Sequence, residues 1–418
     1  MSQQGRHLAD RGRTFTERLL TLSAHARSIQ EITRNPLLLA LLCDLFAQEG
    51  NVPPDLTVSK LYQRYWQEKI AYSRIDDSHS SVLAITKEQF CLTLAQALFQ
   101  MSTAKLCEST YRDELGIQFT APLATAYDDL LSEGVLELLP SGKIHFFHQT
   151  LLEYAIAYWL TRHSAQPQRH QLLQSLNASD TSSTPTHWWP IIRQLLTIVE
   201  TEAEFEQIQN QLDTRDVAAF GTLAFAAASR NRPDALLNLL PTALELGEAY
   251  QKRLRLALES APRQLALELW SAMLTLLQQG GHTTAVNTAK SISGLLARWP
   301  DILLSRLDEA LNAIAHRTAT NAISDRSITD DRSLIGGWLL QQCFPILKQQ
   351  VNLDALAALR KHYPLLGANS AGEVLALHLA EGVPRDAQHA LLDTLLQAPL
   401  GRSKTLQDEI THFWYQNN

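Results

Sequence analysis

The chain has 418 residues, of which 45% are hydrophobic and 19% charged, the composition of a globular protein with two or three domains. Its formal net charge of −7 argues against the broad basic surface that bulk nucleic-acid binding needs. The N-terminus lacks the apolar core of a signal peptide, and no run of about 18 apolar residues predicts a membrane span. We therefore expect a cytoplasmic protein.

The first 75 residues carry three helical patterns. One runs from Phe15 to Ile29, and a more hydrophobic one runs from Ile32 to Gln48. Pro36 fits the first turn of the second helix, where its missing N–H costs nothing, and Asn35 is a suitable N-cap. The third pattern covers Thr57 to Arg74. The polar residues from Asp76 to Ser81 predict an exposed loop.

The next segment predicts a helix, a β-hairpin and another helix. Thr86 and Gln89 match a capping box that would start a helix ending near Met101. A further helix is predicted from Pro122 to Ser132, with Gly134 at its end. The alternating runs 135–139 and 144–147 flank a Pro-Ser-Gly turn and predict a hairpin.

At His148 the hydrophobic period changes from that of a strand to that of a helix, so a helix should begin there. Helix, hairpin and helix in this order are typical of a winged-helix module. The loop from Ser164 to His170 is expected to end it, and the polar tract from Ser175 to His187 is the clearest domain boundary.

From Trp188 onward, helical stripes follow one another with Pro and Gly between them, as in a HEAT- or TPR-like α-solenoid. The polar stretch from Thr318 to Arg332 predicts a long loop. The aromatic residues from Phe413 to Tyr415 predict a last helix. The predicted fold class is mostly α: a helical lid, a winged-helix module with a small hairpin, and a solenoid.

Two motifs resemble those of NACHT-type STAND NTPases, the class that includes the animal NLR receptors. Residues 146–160 resemble the F-x-H-x-[ST]-x-x-E-[YF]-x-A-A signature of the winged helix in that family. The matching positions are Phe146, His148, Thr150, Glu153, Tyr154 and Ala157. Residues 34–43, which contain Asn35 and Pro36, resemble the NPLLL segment of the family's lid subdomain. The two matches cover roughly residues 15 to 160.

The resemblance implies a lid subdomain over residues 1–75, a winged-helix domain over 76–175 and a helical-repeat sensor over 188–418. It also implies that His148 contacts the β-phosphate of ADP in a closed state and that Pro36 lies against the adenine. Asn35, Phe146, Thr150, Glu153 and Tyr154 would be structural members of the motifs. The alternatives from the residues alone are a structural histidine that packs the hairpin on the helix and an ordinary first-turn proline.

The phosphate-binding motif of such NTPases, G-x-x-x-x-G-K-[ST], has no match in this sequence. We therefore expect the C-terminal part of a NACHT protein, without catalysis of its own. It would bind ADP or ATP only together with a P-loop NTPase segment on the same or a neighbouring polypeptide. The expected function is regulation and ligand sensing in bacterial defence or signalling. A protein or other ligand would trigger it on the solenoid, with oligomerisation on activation.

The sequence leaves two other functions open. One is a stand-alone helical-repeat scaffold for protein interactions that binds no nucleotide. The other is DNA binding by the winged helix, which the two aspartates and missing cations of residues 122–132 oppose. No metal or hydrolase motif is present. We expect the cysteines to be reduced and mostly buried, and the paired acids 76–77, 128–129 and 330–331 to be solvated.

Overall fold

The computed structural model describes residues 15–22, 27–47, 49–53, 56–71, 78–178, 186–317, 325–349 and 352–362. Over these residues the chain is mostly helical with one small sheet, which confirms the predicted fold class. The chain divides into two compact units between Arg230 and Asn231. Residues 188–230 thus pack with the first unit, and the lid, winged-helix and sensor domains remain predictions.

The first unit contains helices α1 to α11 and a three-stranded sheet. In chain order these are α1 (15–22), α2 (Arg27–Arg34), α3 (Pro36–Phe46), α4 (Val58–Trp66), α5 (Ser78–Met101), β1 (Thr110–Tyr111), α6 (Ala121–Ser132), β2 (Leu136–Leu138), β3 (Lys143–Phe146), α7 (Gln149–Thr161), α8 (Gln166–Ala178), α9 (Trp188–Ile198), α10 (Glu202–Gln209) and α11 (Val217–Ser229). A π-helical turn, Gln67–Ala71, extends α4, and short 3₁₀ turns occupy Arg112–Leu115 and His163–Ala165.

The second unit consists of helices joined by short turns over the residues that the structure describes. They are α12 (Pro233–Glu245), α13 (Glu248–Leu258), α14 (Arg263–Gln279), α15 (His282–Arg298), α16 (Pro300–Leu303), α17 (Leu307–Ala315), α18 (Asp325–Gln349) and α19 (Leu353–Lys361). Their apolar stripes are buried, as the hydrophobic pattern predicts. The predicted helix at 413–415 lies outside the described residues.

The predicted start of the second helix at Ile32 is wrong, because Asn35 is extended and interrupts the helix. The Asn35 side chain accepts from the backbone N–H groups of Leu37 at 3.0 Å and Leu38 at 3.3 Å. Pro36 is the first residue of α3, so its missing N–H leaves no bond unmade. Ile29 and Ile32 belong instead to α2 and are fully buried.

Helix α5 begins at Ser78, so the predicted loop up to Ser81 and the predicted capping box at Thr86 are both wrong. The Thr86 hydroxyl donates to the carbonyl of Val82 at 2.7 Å, one turn earlier, and caps nothing. Over 81–101 the helix is long and apolar enough to cross a membrane. The same test is passed by core helices of soluble proteins, and α5 packs on α6 and α7 with Phe90 and Leu94 fully buried.

Two other predicted loops are helical. The loop expected from Ser164 to His170 forms a 3₁₀ turn and the start of α8, where Pro167 lies in the first turn. Residues 325–332 of the expected long loop belong to α18. Both segments are polar, but helix ends tolerate polar residues, so composition alone did not distinguish them from loops.

The predicted hairpin is present and gains a strand that the sequence did not reveal. Strands β2 and β3 pair antiparallel, with Leu136 opposite Phe146, and β1 pairs with the other edge of β3. Gly134 ends α6 with φ 70°, and Gly142 turns the hairpin with φ 82°. The sheet delivers the chain to α7, which packs against α5 and α9 and is buried along most of its length.

Candidate functional site

His148 lies where β3 passes into α7 and is the N-cap of that helix. Its backbone is extended, with φ −152° and ψ 145°, so the ring can turn back over the first helical turn. The ring nitrogen Nδ1 accepts a hydrogen bond from the backbone N–H of Thr150 at 3.1 Å. A histidine thus fills the position that Ser, Thr, Asp or Asn usually occupies in an N-cap.

This hydrogen bond fixes the tautomer of the neutral ring. Because Nδ1 accepts from a backbone N–H, it carries no proton, and the proton of the neutral imidazole is on Nε2. The Thr150 hydroxyl oxygen also lies 2.8 Å from Nδ1. In the part of the chain that the structure describes, Nε2 has no hydrogen-bond partner and the ring is only half buried. The junction therefore presents one N–H donor for a further acceptor.

Thr150 is bound from three helices. Its hydroxyl oxygen is hydrogen-bonded to the hydroxyl of Tyr62 on α4 and to the His148 ring at the start of α7. Its carbonyl accepts from Nε2 of Gln194 on α9 at 3.3 Å. These bonds hold the first turn of α7, and with it the His148 ring, in one orientation.

The other winged-helix motif residues are buried behind the junction. Phe146 on β3 is 2% exposed, and Tyr154 is 1% exposed and packs on Tyr62 and Trp66 with ring centroids 6.0 and 5.8 Å away. Glu153 is 5% exposed, and its carboxylate accepts from the Gln149 amide at 3.0 Å. Burial raises the pKa of the Glu153 carboxyl, against the opposing effect of that hydrogen bond.

Asn35 and Pro36 lie at the start of α3, on a different element from His148. Asn35 caps that helix, and the Pro36 ring is exposed. Among the described residues, no hydrogen bond or ion pair joins this helix start to His148. The structure therefore leaves Pro36 accessible without bringing it into the His148 cluster.

Glu88 organises a second polar cluster that sequence reasoning missed. Its Oε1 accepts from the Tyr158 hydroxyl at 3.0 Å, from Nη2 of Arg162 at 2.9 Å and from the Trp66 indole N–H at 3.4 Å. Burial, and after it the Glu88 charge, raise the pKa of the Tyr158 hydroxyl to about 12. A groove of about 320 Å³ runs beside this cluster. The residues that bind Glu88 are far from it in sequence, so no local sequence pattern predicts these contacts.

Two of the acid pairs expected to be solvated contain a bound member. Asp129 is paired with Nζ of the buried Lys87 at 2.8 Å. Asp331 is 15% exposed at its side chain and is paired with Arg317 at 2.8 Å, and also with His282. Asp76 and Asp77 lie outside the described residues. The four cysteines form no disulfide: Cys91 and Cys343 are buried, and Cys43 and Cys107 are half buried.

Within the described ranges, no group of three or more His, Cys, Asp or Glu side chains is placed to hold a metal ion. Comparisons of the chain with protein-family models, with curated proteins and with solved structures gave no match. Function is therefore inferred from the chemistry of the His148 junction and from the sequence motifs around it.

Proposed function

We propose that residues 15–160 are a regulatory segment that closes over a nucleotide whose phosphates are held by a separate P-loop NTPase segment. His148 would donate its Nε2 proton to a phosphate oxygen of ADP in the closed state. The observation that supports this role is the fixed tautomer of the ring: Nδ1 is used as the helix cap, and Nε2–H is left without a partner among the described residues.

The chemistry of the junction suits an anionic acceptor. The ring stands at the N-terminus of α7, where the helix dipole favours negative charge. A hydrogen bond to a charged phosphate oxygen contributes about 1.5–3 kcal/mol, compared with about 1 kcal/mol for a neutral pair. One such bond, made only in the closed state, is enough to bias a two-state equilibrium.

The remaining roles follow from the sequence resemblance. Pro36, exposed at the start of α3, would lie against the adenine. The helices beyond residue 188 would bind a protein or other ligand, and this binding would favour the open state, which oligomerises. We place such a protein in the cytoplasm, in bacterial defence or signalling. The chain alone would have no NTPase activity, because no P-loop motif is present in it.

The proposal is tested first on the adjoining DNA and then on protein. A few hundred bases upstream should encode a G-x-x-x-x-G-K-[ST] segment, in frame or in a neighbouring gene. That segment, co-expressed with this chain, should co-purify with it and retain ADP, and His148→Asn should weaken the retention by roughly 10-fold or more. If no such segment exists nearby, or if His148→Asn retains ADP like the wild type, the scaffold alternative is favoured.

A further inference from the structure

Tyr62 is a buried residue of α4 whose hydroxyl reaches the His148 junction from a distant part of the chain. It precedes Thr150 by 88 positions, yet its hydroxyl is hydrogen-bonded to the Thr150 hydroxyl oxygen. The Tyr62 side chain is fully buried, and Thr150 is its hydroxyl's partner among the described residues. Burial raises the pKa of the Tyr62 hydroxyl to about 12, so this group keeps its proton at neutral pH.

The protons of the three side chains can be arranged in one favourable way. A buried O–H that does not donate costs free energy, so the Tyr62 proton goes to Thr150 Oγ1. The Thr150 proton then goes to the next acceptor, Nδ1 of His148 at 2.8 Å. The reverse direction would leave the Tyr62 proton without an acceptor, and it would need a proton on Nδ1 that faces the backbone N–H of Thr150. Hydrogen bonds in such a chain strengthen one another.

We propose that Tyr62 is a positioning residue for His148: through the Thr150 hydroxyl it holds the imidazole with Nδ1 as acceptor and Nε2–H free. A residue of α4 thus adds to the hold that the Thr150 backbone N–H has on the ring at the start of α7. The importance of that donor rests on the proposed nucleotide contact. The positioning itself needs no nucleotide and can be measured on this chain alone.

The test is ¹⁵N NMR of the full chain labelled at histidine, with the His148 signals identified by their loss in His148→Asn. The Nδ1 resonance reports how strongly that nitrogen accepts. Thr150→Val removes the hydroxyl and should shift the Nδ1 resonance. Tyr62→Phe keeps the ring that packs on Tyr154 and removes only the hydroxyl, and it should shift Nδ1 in the same direction by a smaller amount. Thr150→Ser should leave the resonance in place.

Tyr65→Phe is the matched control. Tyr65 lies on the same helix and packs on Phe147 with centroids 5.7 Å apart, and no hydrogen bond of its hydroxyl is present among the described residues. This variant should leave the Nδ1 resonance unchanged. If Tyr62→Phe also leaves it unchanged, or if Tyr65→Phe shifts it equally, the positioning role is overturned. If Tyr62→Phe shifts the Nδ1 resonance and Tyr65→Phe does not, but His148→Asn retains ADP like the wild type, the nucleotide contact is rejected and the positioning role is kept.

Discussion

Nζ of Lys87 on α5 lies 2.8 Å from Oδ2 of Asp129 on α6, and the lysine side chain is only 7% exposed. The same nitrogen lies 3.0 Å from Oε2 of Glu133, the C-cap residue of α6, four positions after Asp129. Two carboxylates on neighbouring turns would repel each other without the cation between them. The pairing therefore joins α5 to the end of α6.

Lys87→Met should lower the free energy of unfolding of the first unit by about 1–3 kcal/mol. The loss should be smaller than for a fully enclosed pair, because the side chains of Asp129 and Glu133 are 34% and 36% exposed and water can solvate them. Urea unfolding followed by circular dichroism measures the change. Lys105→Met, which alters an exposed lysine, is the control and should change the stability by less than about 0.5 kcal/mol.

Adding Asp129→Asn and Glu133→Gln to Lys87→Met should restore part of the lost stability, because no unpaired carboxylate then remains at the contact. If the single variant is as stable as the wild type, the ion pairs contribute nothing to packing. If the triple variant is less stable than Lys87→Met alone, unpaired carboxylates are not the cause of the lost stability.

Gly294 on α15 lies so close to α13 that an added methyl group would have no room. A Cβ there would lie 2.8 Å from the carbonyl oxygen of Arg255 and 3.0 Å from Cβ of Leu258, both on α13. Backbone atoms cannot move aside, so Gly294→Ala should cost about 1–3 kcal/mol despite the better helix propensity of alanine. Gly281→Ala, where a Cβ meets nothing within 4 Å, is the control. Equal unfolding midpoints for the two variants would contradict the prediction.

Local patterns predicted the parts of the fold that depend on neighbouring residues. The hairpin, Asn35 as a cap and Gly134 at the end of α6 follow from turn and cap chemistry over a few positions. The capping box at Thr86 failed because a threonine hydroxyl can equally bond to the carbonyl one turn back in a helix interior. Strand β1 is two residues long and carries no periodicity that a sequence could show.

The candidate site was predicted only in part, because only some of its contacts join residues that are close in sequence. His148 could be identified from the change of period and from the motif around it. Its tautomer follows from the Thr150 backbone N–H, but the Thr150 hydroxyl is bonded to Tyr62, which is far away in sequence, and the Glu88 cluster joins residues of three helices. Long-range hydrogen bonds produce no periodic pattern in a single sequence. The hydrogen-bond partners around the His148 ring could therefore be identified only from the structure.

Asp331 should make the stability of the second unit sensitive to acid. Burial alone would raise the pKa of its carboxyl, but hydrogen bonds from His282 and Arg317 outweigh burial and hold the pKa below its usual value. Because the folded-state pKa is the lower one, the stabilisation is complete above about pH 4 and is lost as the pH falls through the folded-state pKa. Asp331→Asn should cost about 2 kcal/mol at neutral pH, and its difference from the wild type should shrink below about pH 4.

Urea midpoints of both proteins at several pH values between neutral and about 3.5 measure this difference. Asp354→Asn is the control, because Asp354 on α19 is exposed and has no ion-pair partner in the described ranges. A difference between Asp331→Asn and wild type that stays constant with pH would mean that the carboxylate is not what stabilises the contact.

The four cysteines should react in an order set by burial. Burial raises the pKa of the Cys91 thiol, and it raises that of Cys343 to about 12, so neither forms the reactive thiolate at neutral pH. Cys107 is half buried in a loop and should be alkylated first. Cys91 and Cys343 should react more than about 100-fold more slowly, through local opening. Mass spectrometry after timed iodoacetamide treatment measures the order, and labelling of Cys91 at the rate of Cys107 would contradict it.

Substitution can separate the capping role of His148 from its proposed role as a phosphate donor. His148→Ala removes both the Nδ1 cap, worth about 1 kcal/mol, and the Nε2 donor. In His148→Asn the amide oxygen can still cap α7. The asparagine side chain is too short, however, to place a donor at the position of Nε2. The asparagine variant should therefore melt close to the wild type, and the alanine variant should melt at a lower temperature.

In the protein reconstituted with the proposed P-loop segment, both variants should be active without a trigger. In the proposed closed state the lost phosphate bond would be worth about 1.5–3 kcal/mol, so the population should shift toward the open state by about 10- to 150-fold. Basal activity and thermal melting of the two variants, measured side by side, decide the matter. A purely structural histidine would give an asparagine variant with normal resting activity and an alanine variant that is unstable and inactive. That pair of results would remove His148 from nucleotide sensing and leave it as the cap of α7.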